Sequence, residues 1–392
     1  MYEKINKVKI WFVVILVNVA LLQYLMKTYQ LSFLGDSIRY VAIALLGGTL
    51  IVKIFMYTLT AKRYSNIFVL FILYSIYIFF MLIVQGNFEF YSIINCMLFP
   101  VTILSAYISN RGKSQFSKII KFQFIVMIIF FILYLYSKFY MDNYNPLYAS
   151  LRINSIYYLV LMLPFIYSLD NLILKSIGII CILFSVLISM KRTAFIATII
   201  SLLIYVFMEK RKKDSKYSSK IRKIPIILAV LIMFFIVYNY TLDLGFNVFS
   251  RVASIKSDGG SNRFIIFRLV NISILKNNIF ETLWGNGYNA VALMTGGLSA
   301  HNDFLEIFYD FGIVGFIFYI FMYFILIRYA VTFKRKNYKY SAAFSSSIYI
   351  LLCVSLSSHL IFIPTYIAFL GLFWGLCIYD YENRTLNIEE TI

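Results

Sequence analysis

Runs of about twenty apolar residues recur along this chain, each long enough to carry a helix across a hydrocarbon core about 30 Å thick. Inside a bilayer every backbone polar group must find a partner within the protein, which leaves helices or a closed barrel. The runs are too long and too continuous for the alternating strands of about ten residues that build a barrel. About twelve spans result, near 10–26, 40–60, 66–84, 89–108, 119–141, 153–169, 172–189, 193–208, 224–240, 303–327, 342–361 and 363–379. Composition agrees, with 61% hydrophobic and 14% charged residues and a mean hydropathy of +0.82, against roughly 25% charge in a soluble domain.

The expected fold is therefore an all-α polytopic membrane protein. Residues 1–240 hold the first nine helices, 241–302 form an extracytoplasmic loop or lid between helices nine and ten, 303–379 hold the last three, and 380–392 form a short cytoplasmic tail. The first span follows Lys4, Lys7 and Lys9 but has no small-residue cleavage site after it, so it reads as an anchored helix. Cys96, Cys181, Cys353 and Cys377 all fall within spans and form neither a disulfide framework nor a zinc spacing. Of the five prolines, Pro164 and Pro364 are the ones expected to kink a span.

Orientation follows from Lys and Arg, which stay on the cytoplasmic side. With both termini cytoplasmic, most of the 36 basic residues fall inside, including the run at 210–223, and the site of residence is the cytoplasmic membrane. The net charge of +19 is then accounted for by topology and anionic membrane lipids, without nucleic acid. No P-loop or dinucleotide-binding glycine pattern is present, no cofactor is implied, and no metal is expected because the outer acids are scattered.

Against the positive-inside trend, several arginines face outward: Arg152, Arg192, Arg251, Arg263 and Arg268. A guanidinium is a natural partner for phosphate oxygens, although snorkelling to lipid headgroups serves equally for Arg152 and is the favoured reading for Arg251 and Arg268. Arg192 lies in the turn Ser189-Met190-Lys191-Arg192-Thr193-Ala194, so tight that its two spans must be antiparallel neighbours. Arg263 opens a helix after Asp258-Gly259-Gly260-Ser261-Asn262, beside free N–H groups that also favour anions. Together they describe an outer phosphate-binding site. The loop holds two further helices, near 264–277 and 290–294, between glycine turns.

His301, one of two histidines, takes the last loop position before a helix, with Asn302 as N-cap and Asp303, Glu306 and Asp310 beyond it. First-turn carboxylates stabilise the helix dipole, yet acids inside a span also point to a polar cavity or a paired charge. His301 reads either as a hydrogen-bonded structural residue or as a group that binds or activates an acceptor. His359, near the outer end of the eleventh span, is the second histidine.

Three elements resemble the O-antigen ligase and polymerase superfamily, which assembles bacterial surface polysaccharides. They are Lys191-Arg192-Thr193-Ala194 leading into a span, Ser261-Asn262-Arg263 before an aromatic-rich helix, and Trp284-Gly285-Asn286-Gly287-Tyr288 followed by His301-Asn302-Asp303-Phe304-Leu305-Glu306 and Phe311-Gly312-Ile313-Val314-Gly315. The resemblance covers roughly residues 185–330; the first half agrees only in hydropathy.

It implies a membrane glycosyltransferase acting on undecaprenyl-diphosphate-linked oligosaccharide at the outer face of the cytoplasmic membrane. Arg192 and Arg263 would hold the diphosphate, with Lys191 or Arg152 helping. His301 would stand beside the attacking hydroxyl, and Asn302, Asp303, Glu306 and Asp310 would support the acceptor. Such a scheme needs no metal and, as a class, inverts the anomeric centre. A chain-length regulator and a flippase are the partners it suggests. Polymerase is favoured over ligase on the aromatic content, 33 Tyr and 39 Phe, and a lipid-linked-oligosaccharide transporter is the reading from another class, disfavoured by the absence of internal repeats.

Overall fold

The computed structural model describes residues 10–19, 65–109, 115–138, 155–209, 263–359 and 364–389, with single positions at 41–48, 239 and 252–257. Arg152, Arg251, the basic run at 210–223 and nearly all of the second and ninth spans lie outside them. Regular structure among the described residues is helical throughout. The helices are α1 (Ile10–Val19), α2 (Asn66–Val84), α3 (Phe90–Ser109), α4 (Phe116–Tyr136), α5 (Ile156–Tyr167), α6 (Leu172–Ser189) and α7 (Arg192–Met208), then α8 (Arg263–Lys276), α9 (Ile279–Trp284), α10 (Ala290–Met294), α11 (Asp303–Arg335), α12 (Ser341–Ser357) and α13 (Pro364–Glu389).

Four of them, α2, α4, α6 and α11, are long and apolar enough to cross a membrane, and α1, α5, α7 and α12 are shorter apolar helices. The sequence spans at 66–84 and 172–189 coincide with α2 and α6. Each outer helix divides into two apolar faces. On α2, Tyr74, Tyr77, Ile78 and Met81 are buried, while Leu73, Ile76, Phe80 and Ile83, at helical spacing, are exposed for lipid. α5 is buried along its whole length and forms the centre.

Without a hydrophobic drive between helices in lipid, close approach relies on small residues. α13 packs on α3, and a Cβ at Gly375 would lie 2.5 Å from the Ile103 carbonyl oxygen and 2.7 Å from Ala106 Cβ, so only glycine fits. α7 packs on α12, the first burying Thr193, Ala194, Ala197, Thr198 and Ser201 and the second Ala342, Ala343, Ser345, Ser346 and Ser347. Thr198, Ser346 and Ser347 bond back to their own helices, Thr198 to the Ala194 carbonyl at 2.7 Å, while Thr193 and Ser201 reach Ser357 and Tyr167 on neighbouring helices.

Polar contacts gather at the two ends. At one, Glu382 accepts from Tyr107 at 2.6 Å, Tyr329 at 2.5 Å and Ser65 at 3.0 Å, and Lys339 pairs with Asp170 at 2.7 Å. At the other lie the loop between α2 and α3, the segment from α8 to the start of α11, and the junctions at Arg192 and Ser357.

Several expectations change. α11 runs past residue 327 to Arg335, but it is interrupted at Gly312, whose φ of 64° and ψ of −169° are open essentially to glycine alone. Pro364 opens α13 rather than kinking it, in keeping with proline's fixed φ and missing N–H at a first helical position. α13 then continues to Glu389 through the region expected as a tail, after Glu382 has been anchored by three hydroxyls. The helices expected near 264–277 and 290–294 are α8 and α10, and α9 stands between them, started by a capping box in which Asn278 and Glu281 bond each other's backbone N–H.

Candidate active site

The interruption of α11 is what carries the polar segment that precedes it, from Arg263 to Asn302. Three carbonyls just before Gly312 lose their helical donors, and inside a membrane protein each must be met by another. Asn286 donates to the Tyr309 carbonyl from its backbone at 2.9 Å and from its side chain at 3.1 Å. Gly287 N–H reaches the Asp310 carbonyl at 3.0 Å, and the Tyr77 hydroxyl of α2 reaches that of Phe311 at 2.6 Å. The fit requires two glycines face to face: a Cβ at Gly285 would lie 2.3 Å from the Asp310 carbonyl oxygen, and one at Gly312 2.4 Å from that of Leu283. Gln85 caps the end of α9 through the Trp284 carbonyl at 3.1 Å, and Asn95 of α3 donates to the Tyr288 hydroxyl at 2.8 Å.

Two of the carboxylates expected to support the acceptor hold this segment in shape. Asp310, fully buried, accepts from the N–H of Asn289 at 2.9 Å and of Val291 at 3.2 Å, capping the start of α10. Glu306, also buried, accepts the Ala300 N–H at 2.6 Å. Asn302 is the N-cap of α11 as the sequence predicts, accepting from Phe304 and Leu305 at 3.0 and 3.1 Å, and its amide also reaches the Leu356 carbonyl at the end of α12. His301, just before it, takes a left-handed φ of 52°.

The other predicted residues arrive at the same place from different helices. α6 ends in a left-handed Met190, Lys191 takes the N-cap position and Arg192 begins α7, so the two helices are the antiparallel neighbours the sequence requires. Arg263 begins α8 and its guanidinium donates to the Ser357 carbonyl at the C-terminus of α12, where a helix dipole favours a cation. Ser357 in turn donates to Thr193 Oγ1 at 2.9 Å. Tyr157, at the start of α5, hydrogen-bonds Ser358 and Thr193 and lies within electrostatic range of Arg263. The first turns of α5, α7, α8 and α11 thus gather around the end of α12.

Positive charge surrounds His301. Burial, and then the charges of Arg263, His359 and Lys191, push the His301 imidazole down to about 4, so it is neutral at physiological pH. His359 has the opposite surroundings: burial works against its charge, but the carboxylates of Asp303 and Glu306, 3.6 and 3.8 Å from its Nδ1, outweigh that and raise it. Among the described residues no three His, Cys, Asp or Glu side chains are disposed to hold a metal ion.

The structure therefore brings together Lys191, Arg192, Arg263, His301, Asn302, Asp303 and Glu306, turns the Asp310 carboxylate to α10, and leaves Arg152 outside the described residues. Sequence reasoning assigned no role to Tyr157, Thr193, Ser357 or His359; Thr193 follows Arg192 directly, and the other three meet the site only through the packing of distant spans. No curated protein matches the chain. Residues 177–320, a little over a third of it, match the family model described as O-antigen ligase, which begins in α6 and ends in α11 and so contains Arg192, Arg263 and the whole segment from Trp284 to Gly315. Over those residues, which are helical wherever the structure describes them as regular, the chain is similar to the O-antigen ligase family.

Proposed function

We propose that this protein is a membrane glycosyltransferase that polymerises undecaprenyl-diphosphate-linked oligosaccharide repeat units into a surface polysaccharide at the outer face of the cytoplasmic membrane. The observation that carries the reading is the meeting of Lys191, Arg192 and Arg263 with a neutral His301 at one rim of the bundle, inside the family-matched segment. The donor's anomeric carbon is bonded to a diphosphate, whose negative charge grows as that bond breaks. Fixed guanidinium and ammonium groups, with the positive ends of several helices, stabilise it.

The acceptor hydroxyl attacks the anomeric carbon, the carbon–oxygen bond to the diphosphate breaks, undecaprenyl diphosphate departs, and the hydroxyl proton passes to His301. A neutral His301 accepts a hydrogen bond from that hydroxyl and orients it. Its own proton uptake becomes favourable when a diphosphate sits among the same cations, because the anion offsets the charges that depress it. Attack opposite the diphosphate inverts the anomeric configuration. A chain-length regulator and a flippase would serve the same pathway.

The description of the matched family favours a second reading, transfer of a finished glycan to a terminal acceptor. One experiment separates the two: purified protein in lipid is given the host's lipid-linked repeat unit alone. A ladder of products identifies a polymerase; transfer only after the terminal acceptor is added identifies a ligase. Lipid-linked sugar crossing the bilayer without a covalent product would overturn both in favour of transport. Arg192→Ala, Arg263→Ala and His301→Ala should each abolish product, whereas Arg335→Ala, at the opposite end of α11, should not.

A further inference from the structure

The sequence has two histidines, and both stand at the site. His359 lies in the connection after α12, with Nδ1 3.6 Å from Asp303 Oδ1 and 3.8 Å from Glu306 Oε2. These two carboxylates sit one turn apart on α11 and are 0% and 1% exposed. Each has a second task. Asp303 accepts from the Tyr319 hydroxyl at 3.4 Å, and Tyr319 is itself bonded to Ser355 of α12 at 2.8 Å. Glu306 accepts the Ala300 N–H at 2.6 Å, one residue before His301.

Two buried carboxylates this close are costly unless a cation lies between them. The His359 imidazole lies within ion-pair distance of both acids.

We infer that His359 is a positioning residue: its imidazolium bridges Asp303 and Glu306, keeps Glu306 ionised and bound to the Ala300 amide, and so fixes the left-handed turn that presents His301. The inference rests on the glycosyl-transfer reading for its consequence, since it assigns His301 something to be presented to. The groups that face His359 are Asp303, Glu306 and, farther off, Asp310 on α11, and His301 on the preceding turn; Tyr319 reaches it through Asp303, and Tyr157 neighbours it through Ser358. When His359 loses its proton on the alkaline side, the repulsion between the two buried carboxylates is no longer offset, and the grip on Ala300 loosens.

The test uses the full chain in nanodiscs with nitrogen-15-labelled histidine. Having only two imidazoles, the spectrum is assigned by His301→Gln. The expected result is one imidazolium at pH 7, belonging to His359, beside one neutral ring that stays neutral from pH 5 to 8. A neutral His359 at pH 7 overturns the inference, and this measurement needs no variant at position 359 to fold.

Glycan formation supplies the second readout. His359→Gln should lower kcat by about tenfold or more with KM for the donor within about twofold, and should lose the alkaline limb of the pH profile. Adding Glu306→Gln, which removes one buried charge but keeps an oxygen for the Ala300 amide, should recover at least about fivefold of the loss. A folded double variant no better than the single, or a His359→Gln protein with the wild-type rate and profile, overturns the inference. An imidazolium at 359 in a protein that makes no glycan product would leave the bridge standing and sink the transferase reading alone.

Discussion

Asn286 and Tyr309 are joined twice, the backbone N–H and the side-chain amide of Asn286 both ending on the Tyr309 carbonyl at 2.9 and 3.1 Å. This doubled contact belongs to a seam in which the loop Trp284 to Tyr288 replaces the missing turn of α11. The segment is therefore built onto the interruption of α11 and not draped over it, which explains why a Cβ at either of two glycines 27 residues apart, Gly285 and Gly312, would lie only 2.3 to 2.6 Å from backbone atoms.

Gly312→Ala should be among the most damaging single-methyl changes in the chain. It adds a Cβ 2.4 Å from the Leu283 carbonyl and forces a side chain into a glycine-only conformation, a cost of about 3 kcal/mol or more. Gly296→Ala, at φ 71° but with no atom within 4 Å, should cost only about 1 kcal/mol. Thermal unfolding of the two purified variants in the same detergent makes the comparison.

Tyr77→Phe removes only an oxygen but leaves the Phe311 carbonyl without its 2.6 Å donor. A loss of about 1–3 kcal/mol is expected, together with faster hydrogen exchange at Asn286 and Gly287, whose amides share the seam. Unchanged exchange there would show that the α2 hydroxyl does not support it.

Much of this was legible in the sequence. Apolar runs place α2 and α6 to the residue, and the short turn before Arg192 and the N-cap at Asn302 follow from local chemistry alone. The capping box Asn278 to Glu281 was also readable, though α9 is so short that periodicity gives no sign of it. What the sequence hides is pairing across distance. Tyr77, Gln85 and Asn95 look like ordinary residues of apolar helices until the fold sets them against Phe311, Trp284 and Tyr288. Glycine at 312 reads as a tolerated residue in a continuous span, because nothing local announces that the ladder stops there.

Asp310→Ala should loosen α10 without disturbing the bundle. It strips the N–H groups of Asn289 and Val291 of their shared acceptor, a penalty of about 1–3 kcal/mol confined to one short helix. Limited proteolysis should show new cleavage within 286–297, with the transmembrane fragments as resistant as before.

Acid should weaken the fold through His301. The folded state holds this imidazole at about 4, while the unfolded chain binds its proton near 6.5. The unfolded form therefore takes up the extra proton, and stability falls as pH drops from about 6.5 towards 4. His301→Gln should flatten that part of the profile, as read from unfolding midpoints between pH 4 and 7.

At the far end, Glu382→Ala should lower stability while leaving the outer site's geometry alone. It removes the acceptor shared by Tyr107, Tyr329 and Ser65, a change of about 2–4 kcal/mol. The unfolding midpoint and the histidine spectrum together check it: the first should move and the second should not.

The seam also sets what the first half of the chain must supply. Outside the family-matched residues, α2 and α3 meet the outer segment chiefly through one phenol and two carboxamides, Tyr77, Gln85 and Asn95. α3 therefore answers to two partners at once, with Asn95 facing this segment and Ile103, Ala106 and Tyr107 fitted to α13, so a change in its tilt that suits one contact must disturb the other.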